Sequence, residues 1–258
     1  MTPIVALTRA VSPAFDRCEL THLARVPIDV SIARRQHDAY ERVLAGLGCR
    51  VTRLEAGTEF PDAVFIEDTA IVLDEVAIVT RPGAASRRGE TAAVAGALGA
   101  YRPVVRIEAP ATIDGGDVVV AGRRVFVGGS TRTNPAAVDT MRAILGPHGY
   151  TVEQVEVRGC LHLKSAVTPL ADDVLLLNSA WVDAAAFAGF DRVDVDPGEP
   201  GAANAMRVGP TIVCAAAFPG TLARIASVGF EVVPVDVSEL AKAEGAVTCC
   251  SLVFRAGV

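Results

Sequence analysis

Short apolar strands recur along the chain in a fixed order, with polar clusters and helices between them. Each leading strand ends in Val, Leu or Ile and is followed by a spacer, a polar cluster, an apolar hairpin and a helix. The leading strands are RVTRL, VVRI, VEQVEV, RVDV and VVPVDV, with equivalent positions at Leu54, Ile107, Val155, Val195 and Val235. These positions are about 40 to 53 residues apart, so five copies of one α/β unit occupy the chain.

Each copy contains an apolar hairpin, but the last copy contains only half of one. Four hairpins, with Gly, Asp or charged residues at their turns, occupy 70–81, 118–128, 166–178 and 205–214. The fifth run, SLVF at 251–254, lacks a partner strand, which PIVALTR at 3–9 has the length and composition to supply. Pairing of these two strands closes the units into a ring and hides every sheet edge. The sequence therefore predicts one α/β ring over 1–258, with no residues left for a second domain.

Helical patterns occupy the gaps between the strands. An apolar face that includes Tyr40 and Leu47 predicts a helix ending at Gly48. Asn134 is suited to be the N-cap of a second helix, with Pro135 at its first position. Strand and helix are therefore expected to alternate along the whole chain.

A polar cluster precedes each hairpin at the same position of the repeat. The clusters contain, in chain order, Glu67 with Asp68, Asp114 with Asp117, His162 with Lys164, Asn204 and Cys249. A ring of units points all five clusters toward its axis, so four carboxylates, a histidine and a cysteine are expected in one place. Any single cluster is typical of an ordinary loop, but five in register predict a catalytic site.

The two adjacent cysteines of the last cluster need separate explanations. Cys249 and Cys250 are expected at the start of the last strand, where neighbouring side chains point to opposite faces. They therefore cannot easily bond each other or hold one metal ion together. Cys249 belongs to the polar cluster, whereas Cys250 is expected to pack as a small buried hydrophobe.

Composition and charge limit the classes of function. Of the 258 residues, 51% are hydrophobic and 21% are charged, and the net charge of −6 comes from interspersed acids and bases. The chain has no basic stripe for nucleic acid and no apolar run of about 18 residues for a membrane. MTPIVALTRA, at the start, lacks a basic signal region and is typical of a strand. The six cysteines show no disulfide-framework spacing, which favours reduced thiols in the cytoplasm.

Six motifs resemble those of one enzyme family and occur in that family's order. They are FPDAVFIEDTA, TRPGAASRRGE, DGGDVVVAGRRVFVGGSTRTN, LHLKSAV, AAN and VTCCSLVF, and they extend over nearly all of the chain. On these motifs the sequence resembles the dimethylarginine dimethylaminohydrolases of the pentein, or amidinotransferase, superfamily. The resemblance implies a five-fold pseudosymmetric α/β propeller that hydrolyses Nω-methylated arginines to citrulline and a methylamine through a covalent Cys-thiouronium intermediate. It implies a small cationic substrate and no cofactor, and it leaves open whether the protein is a homodimer.

Chemistry and resemblance together assign the catalytic roles. A resonance-stabilised guanidinium is hard to hydrolyse, so a covalent route through a strong nucleophile is sensible, and Cys249 supplies one. Carboxylates disfavour the thiolate, but a substrate cation about 4 Å from the sulfur favours it by roughly 4 kcal/mol, or about three pK units. His162 is expected to protonate the leaving amine and then to activate water. The resemblance makes Asp114 the carboxylate that orients His162.

The resemblance also assigns the substrate contacts. The matching positions are Asp62, Glu67, Asp68, Arg87, Arg132 and Leu20. The three acids are expected to hold the substrate, and paired carboxylates suit a planar guanidinium. The two arginines correspond to positions that bind the amino-acid carboxylate, and the leucine belongs to a lid over the pocket.

Three other functions are weighed against this hypothesis. Cys160 and His162, with Cys249, have the ligand types of a zinc hydrolase, which metal analysis would decide. A non-enzymatic pentein relative, a ribosome anti-association factor, has no need of the complete set of Cys, His and acids. Among the enzymes, arginine deiminases are longer because of a helical insertion, and agmatine lacks a carboxylate for Arg87 and Arg132 to bind. Arginine or agmatine deiminase is therefore kept as the alternative activity.

Overall fold

Fifteen strands, described within residues 2–257 of the computed structural model, form five sheets of three strands each. Their bounds are β1 Ile4–Arg9, β2 Cys49–Leu54, β3 Ala70–Val72, β4 Ala77–Val79, β5 Val104–Arg106, β6 Val118–Ala121, β7 Arg124–Gly129, β8 Thr151–Glu156, β9 Val167–Pro169, β10 Val174–Leu177, β11 Asp191–Asp194, β12 Ala205–Val208, β13 Thr211–Ala215, β14 Glu231–Val235 and β15 Ser251–Arg255. Each sheet is one copy of the repeat, which confirms the five-unit α/β fold expected from the sequence.

All five sheets share one topology, an antiparallel pair of strands with a parallel third strand. Four of them have the orders β3-β4-β5, β6-β7-β8, β9-β10-β11 and β12-β13-β14. The remaining sheet has the order β15-β1-β2, in which Ile4 pairs with Arg255 and Thr8 with Ser251. The strand within residues 3–9 thus completes the last hairpin and closes the ring, as the sequence predicts.

An α-helix connects the parallel strands in four of the five sheets. The helices of the described chain are α1 Val30–Gly46, α2 Thr91–Leu98, α3 Pro135–Leu145, α4 Pro219–Ser227 and the short α5 Ser238–Ala241. Asn134 caps α3 by accepting a hydrogen bond from the Ala137 N–H, and Pro135 is its first residue, as predicted. The fourth sheet departs from the expected alternation because its connection, 178–190, is near the lower limit for a crossover and contains only a 3₁₀ turn at Ala184–Phe187. No helix between residues 2 and 257 has the length and apolar character needed to cross a bilayer.

A 3₁₀ turn immediately precedes the first strand of each hairpin. The five turns are Ile66–Thr69, Gly115–Asp117, Leu163–Ser165, Pro200–Ala203 and Thr248–Cys250. The strands that follow them, β3, β6, β9, β12 and β15, surround the axis of the ring, where their residues line a cavity of about 220 Å³. Because every turn comes just before its inner strand, the polar clusters lie at the same end of the axis.

The last of these turns corrects one detail of the sequence prediction. Cys249 and Cys250 lie in the 3₁₀ turn, and the strand begins only at Ser251. A 3₁₀ turn has about three residues per turn, so neighbouring side chains still diverge, by roughly 120°. Cys250 is buried and its thiol donates to the carbonyl of Ala246 at 3.4 Å, whereas Cys249 is half-buried. The two cysteines have different surroundings because of the turn, not because of strand alternation.

Apolar side chains fill the interfaces between neighbouring sheets. One buried cluster joins Ile78 of the β3-β4-β5 sheet to Val125 of the next sheet and to Met141 of α3. Full burial of a side chain of this size contributes about 1.5–3 kcal/mol. The interfaces therefore hold the five units, and with them the five polar turns, in fixed positions around the axis.

Candidate active site

Side-chain hydrogen bonds join the polar turns into one network at the end of the axis. Thr248 Oγ1 donates to Glu67 Oε2 at 2.6 Å, and Lys164 Nζ donates to Glu67 Oε1 at 2.5 Å. Asn204 Nδ2 donates to Thr248 Oγ1 at 2.9 Å and to the carbonyl of Lys164 at 3.1 Å. The turns of four different units are thus linked side by side, and the side chains of Glu67, Lys164, Asn204 and Thr248 all have hydrogen-bond partners within the network.

The fifth turn joins the network through His162, which lies between two buried carboxylates. His162 Nε2 is 3.1 Å from Asp114 Oδ2, and His162 Nδ1 is 3.8 Å from Asp68 Oδ1. The backbone N–H of Gly116 donates to Asp68 Oδ1 at 3.0 Å. A Cβ atom at position 116 would lie only 2.6 Å from His162 Nδ1, so the histidine and the turn approach this closely only with glycine there. The DGGD motif therefore supplies, besides its two acids, a glycine that leaves room for the histidine ring.

The charge of His162 is decided by the acids around it. Burial alone would lower its pKa, but the charge of Asp68, the hydrogen bond that the ring donates to Asp114 and the charge of Asp117 outweigh burial and raise the pKa to about 9. At neutral pH the ring is therefore an imidazolium with a proton to give.

The thiol of Cys249 is a weak acid in this site. Burial raises its pKa to about 12, and the carboxylates of Glu67 and Asp68 act in the same direction. The backbone N–H of Ala246 donates to the sulfur at 3.4 Å, which favours the thiolate only slightly. Without a cation beside it, Cys249 is therefore a neutral thiol at neutral pH.

We expect a neutral alkylating reagent such as iodoacetamide to modify Cys249 slowly at pH 7 and about tenfold faster for each pH unit up to pH 10. The rise follows the thiolate fraction, because a group with a pKa of about 12 is still far from half ionised at pH 10. The rate is measured by mass spectrometry of the peptide that contains Cys249, with Cys249→Ser as the background. A plateau below pH 8.5 would show that the thiol is already activated in the free protein.

The Cys249 side chain borders a small, partly open cavity of about 30 Å³, room for about two water molecules. The cavity is lined by Glu19, Asp62, Phe65, Asp68, Arg87, Asp114, Arg132, Leu161, His162, Ala243, Glu244, Gly245 and Cys249. Seven of the nine site residues named from the sequence are thus brought together. The other two lie elsewhere: Glu67 faces Lys164 and Thr248, and Leu20 packs against the apolar core.

The two arginines of the cavity differ in how many of their donors are engaged. Arg87 is buried, and its guanidinium donates to Asp68 at 2.6 Å and to Glu90 at 2.8 Å. Arg132 donates from one Nη to Thr21 Oγ1 at 2.9 Å. Arg132 therefore has more donors available for a ligand carboxylate than Arg87, and the role of both residues stays a prediction.

Several residues of the site were missed by sequence reasoning. Glu90, which holds Arg87, follows it by three residues in RRGE, a spacing that signals a pair within one turn. Glu19 enters the site because its backbone N–H donates to Asp62 at 3.2 Å, and burial raises the pKa of Asp62 to about 6. Glu244 also lines the cavity. Glu19 and Glu244 lie in irregular loops, where no sequence pattern reports the fold.

The arrangement does not have the geometry of the zinc alternative. Within residues 2–257, the one group of three or more candidate metal ligands with atoms within 4.8 Å of one another is Asp68, Asp114 and His162. Cys160 instead donates to the carbonyl of His162 at 3.4 Å, and burial raises its pKa to about 12. Cys160, His162 and Cys249 therefore do not converge as three ligands of one ion would.

The fold and the site define a class of protein. Five α/β units around an axis, with a cysteine, a histidine and carboxylates at one end, are the architecture of the pentein superfamily. The N-terminal domain of the cyanobacterial arginine dihydrolase ArgZ has this fold, with a TM-score of 0.86 at 19% identity over 97% of both chains. No protein-family model matches the chain.

Closer relatives identify the family within that class. The chain is 39% identical to the N(G),N(G)-dimethylarginine dimethylaminohydrolase of Streptomyces coelicolor and 37% identical to that of Pseudomonas aeruginosa. Each alignment covers 97% of this chain, and they cover 96% and 98% of the relatives. The protein belongs to the dimethylarginine dimethylaminohydrolase family, as the motifs of the sequence indicated.

Two solved structures of this family are similar to the whole molecule. A cysteine-to-serine mutant of the Pseudomonas aeruginosa enzyme, complexed with citrulline, has a TM-score of 0.93 at 34% identity. A histidine-to-glycine variant of a dimethylarginine dimethylaminohydrolase, crystallised as an adduct with S-methyl-L-thiocitrulline, has a TM-score of 0.92 at 35% identity. Each covers 98% of this chain and all of the compared chain.

Proposed function

We propose that the protein hydrolyses Nω-methylated arginines to citrulline and the corresponding methylamine. The observation that carries this proposal is the joint lining of one cavity by Cys249, by the His162–Asp114 pair and by Asp68. These groups can attack a guanidinium carbon, protonate an amine and hold a cation. The relatives crystallised with citrulline and with a thiocitrulline adduct support the same class of substrate.

The substrate supplies the charge that the nucleophile lacks. A guanidinium about 4 Å from the Cys249 sulfur favours the thiolate by roughly 4 kcal/mol at an effective dielectric near 20, or about three pK units. Such a shift lowers the pKa of the thiol from about 12 to the range of His162, whose pKa is about 9. Substrate binding thus raises the thiolate fraction of Cys249 at neutral pH about a thousandfold, while His162 keeps its proton.

The chemistry proceeds in two steps, in which His162 is first the proton donor and then the proton acceptor. The thiolate of Cys249 forms a C–S bond to the guanidinium carbon, and the C–N bond to the methylated nitrogen breaks as His162 gives that nitrogen its proton. This leaves a cationic thiouronium on Cys249 and a neutral His162. His162 then takes one proton from water as the water attacks the same carbon. When the C–S bond breaks, the remaining hydroxyl proton goes to the sulfur, which releases citrulline and restores the Cys249 thiol. Asp114, whose Oδ2 lies 3.1 Å from His162 Nε2, orients the imidazole for both steps.

Asp68 has a double role in this proposal. Burial would raise its pKa, but His162 and Arg87 outweigh burial and lower it, so Asp68 is a carboxylate at neutral pH. It can therefore stabilise the imidazolium and accept hydrogen bonds from the substrate guanidinium at the same wall of the cavity.

We also propose that the enzyme acts in the cytoplasm on a small cationic substrate. All six cysteines of the chain are free thiols, the state that a reducing compartment maintains. A reducing compartment keeps Cys249 available as a nucleophile, because oxidation of its sulfur would block attack on the substrate.

The function is tested with a substrate panel on the purified protein. Monomethylarginine, asymmetric dimethylarginine, arginine and methylated agmatine are compared, and citrulline and the released amine are both measured. Release of one amine per citrulline from the methylated arginines supports the proposal, whereas turnover of arginine or of agmatine alone would identify a deiminase.

We expect Arg132→Lys to reduce kcat/KM for methylated arginine by on the order of tenfold and to leave methylated agmatine almost unaffected. Lysine keeps the charge but loses the planar two-pronged geometry that suits a carboxylate, and agmatine has no carboxylate to lose. Binding energy from that remote contact also positions the reacting carbon, so kcat should fall together with affinity. An equal effect on both substrates would mean that Arg132 is structural.

A further inference from the structure

The cavity beside Cys249 is too small for an amino-acid substrate unless one of its walls moves. Its volume of about 30 Å³ is far below the several hundred Å³ typical of ligand sites. One wall includes Glu19, which begins the segment 19–25, named here the lid loop. The lid loop contains no helix or strand, and residues 21–25 are exposed. A segment of this kind opens more easily than the packed sheets around it.

The carboxylate of Glu244 makes the largest share of the hydrogen bonds that attach the lid loop to the body of the protein, beside those of Asp62 with the Glu19 N–H and of Arg132 with Thr21. The backbone N–H groups of Thr21, His22 and Leu23 all donate to this carboxylate, at distances between 2.5 and 3.0 Å. Three successive amides therefore share one anion that comes from a segment more than 200 residues away in sequence. Hydrogen bonds to an ionised acceptor are about twice as strong as those between neutral groups.

The backbone at Glu244 is unusual. Its φ is +61°, and among residues 2–257 it is the one residue other than glycine with a positive φ. Glycine adopts this conformation at no steric cost, whereas a residue with a Cβ is strained there. A glutamate at such a position indicates that its side chain performs a task that glycine could not.

The same segment also reaches the nucleophile. Two residues beyond Glu244, the backbone N–H of Ala246 donates to the Cys249 sulfur at 3.4 Å. Glu244 and Gly245 line the cavity itself. The segment 244–246 therefore connects the lid loop to the wall of the cavity that holds Cys249.

We propose that Glu244 is a positioning residue that latches the lid loop over the substrate cavity and so controls the entry and release of ligands. It acts through the three amides of the lid loop and touches no reacting atom. The identity of the ligand rests on the proposed function, but the latch itself can be measured without turnover.

The latch is tested by limited proteolysis of Glu244→Gly, Glu244→Ala and Glu244→Gln. Glu244→Gly is the most informative variant, because it removes the carboxylate without adding backbone strain at the positive φ of this position. The matched control is Glu199→Ala, since the Glu199 carboxylate likewise accepts two backbone N–H groups, at 2.7–2.9 Å, but at the start of α4. Trypsin cleavage after Arg25, inside the lid loop, is expected to be at least tenfold faster in the Gly and Ala variants than in the wild type and the control. The Gln variant keeps one acceptor oxygen and should fall between them.

Kinetics with methylated arginine give the second readout. The Gly variant should show KM raised on the order of tenfold with kcat changed less than threefold, because a looser lid loses ligand without altering the reacting groups. Unchanged cleavage after Arg25 in the Gly variant would overturn the latch. Faster cleavage in Glu244→Ala but not in Glu244→Gly would also overturn it, because the effect would then come from backbone strain at position 244 and not from loss of the carboxylate. If cleavage is faster but the wild type shows no turnover of methylated arginine, the latch stands and the proposed function fails.

Discussion

Cys249→Ser is expected to lose essentially all turnover, on the order of 10⁴-fold or more, while it keeps its affinity for methylated arginine. A serine hydroxyl has a far higher pKa than a thiol, so a nearby cation cannot convert it into the anion that attacks the guanidinium carbon. The cavity walls and their charges are unchanged, so binding measured by calorimetry should stay within a few-fold of the wild type. Turnover is measured as citrulline formed over hours at high enzyme concentration.

Cys250→Ser is the matched control for this result, since it makes the same chemical change one residue further along. The hydroxyl can replace the buried thiol as a donor to the carbonyl of Ala246, so activity should remain within a few-fold of the wild type. Substantial turnover by Cys249→Ser would remove Cys249 as the nucleophile. Loss of activity in the Cys250 variant alone would reverse the assignment of the two thiols.

His162→Gly is expected to trap a covalent adduct on Cys249 when the substrate carries a leaving group that needs no proton, such as methanethiol. The first step then no longer requires an acid, but hydrolysis of the thiouronium still requires a base, and its rate should fall by about 10²–10⁴-fold. Mass spectrometry after acid quenching should show the protein mass plus that of the substrate minus methanethiol, located on the peptide that contains Cys249.

Asp114→Asn serves as the graded companion of the histidine variant. An amide at position 114 can still accept a hydrogen bond from the imidazole, but it does not stabilise the imidazolium by charge. The rate of adduct hydrolysis in Asp114→Asn should therefore lie between the rates of the wild type and of His162→Gly. Rapid breakdown of the adduct in His162→Gly would place the general base on another residue.

Most of the fold can be predicted from the sequence because each unit repeats the same short-range pattern. An apolar run, a polar turn and a second apolar run specify a hairpin locally, and the unpaired SLVF leaves residues 3–9 as the partner that completes it. The connection at 178–190 could not be predicted in the same way. Its length allows either a helix or a bare turn, and the packing of the fourth sheet, not a local pattern, decides between them.

The site could be predicted as a set of positions but not as a set of contacts. The start of each inner strand fixes where His162 and Cys249 lie, and the ring brings them to one end of the axis. The pairing of acids with bases depends on the directions of side chains that come from different units. Glu67, for example, forms an ion pair with Lys164 and does not line the cavity beside Cys249. Loops such as the one around Leu20 have no periodicity, so their place in the structure follows only from contacts with distant residues.

The ring of five sheets also governs how activity and folding are related. Asp68, Asp114, His162, Asn204 and Cys249 belong to five different units, and the unit of Cys249 is completed only when β1 pairs with β15. A partly folded chain therefore has groups of the site but never the site itself. Detachment of any one unit, even briefly, separates the acid, the base or the nucleophile from the others, so catalysis reports the integrity of the whole ring as closely as any spectroscopic probe of unfolding.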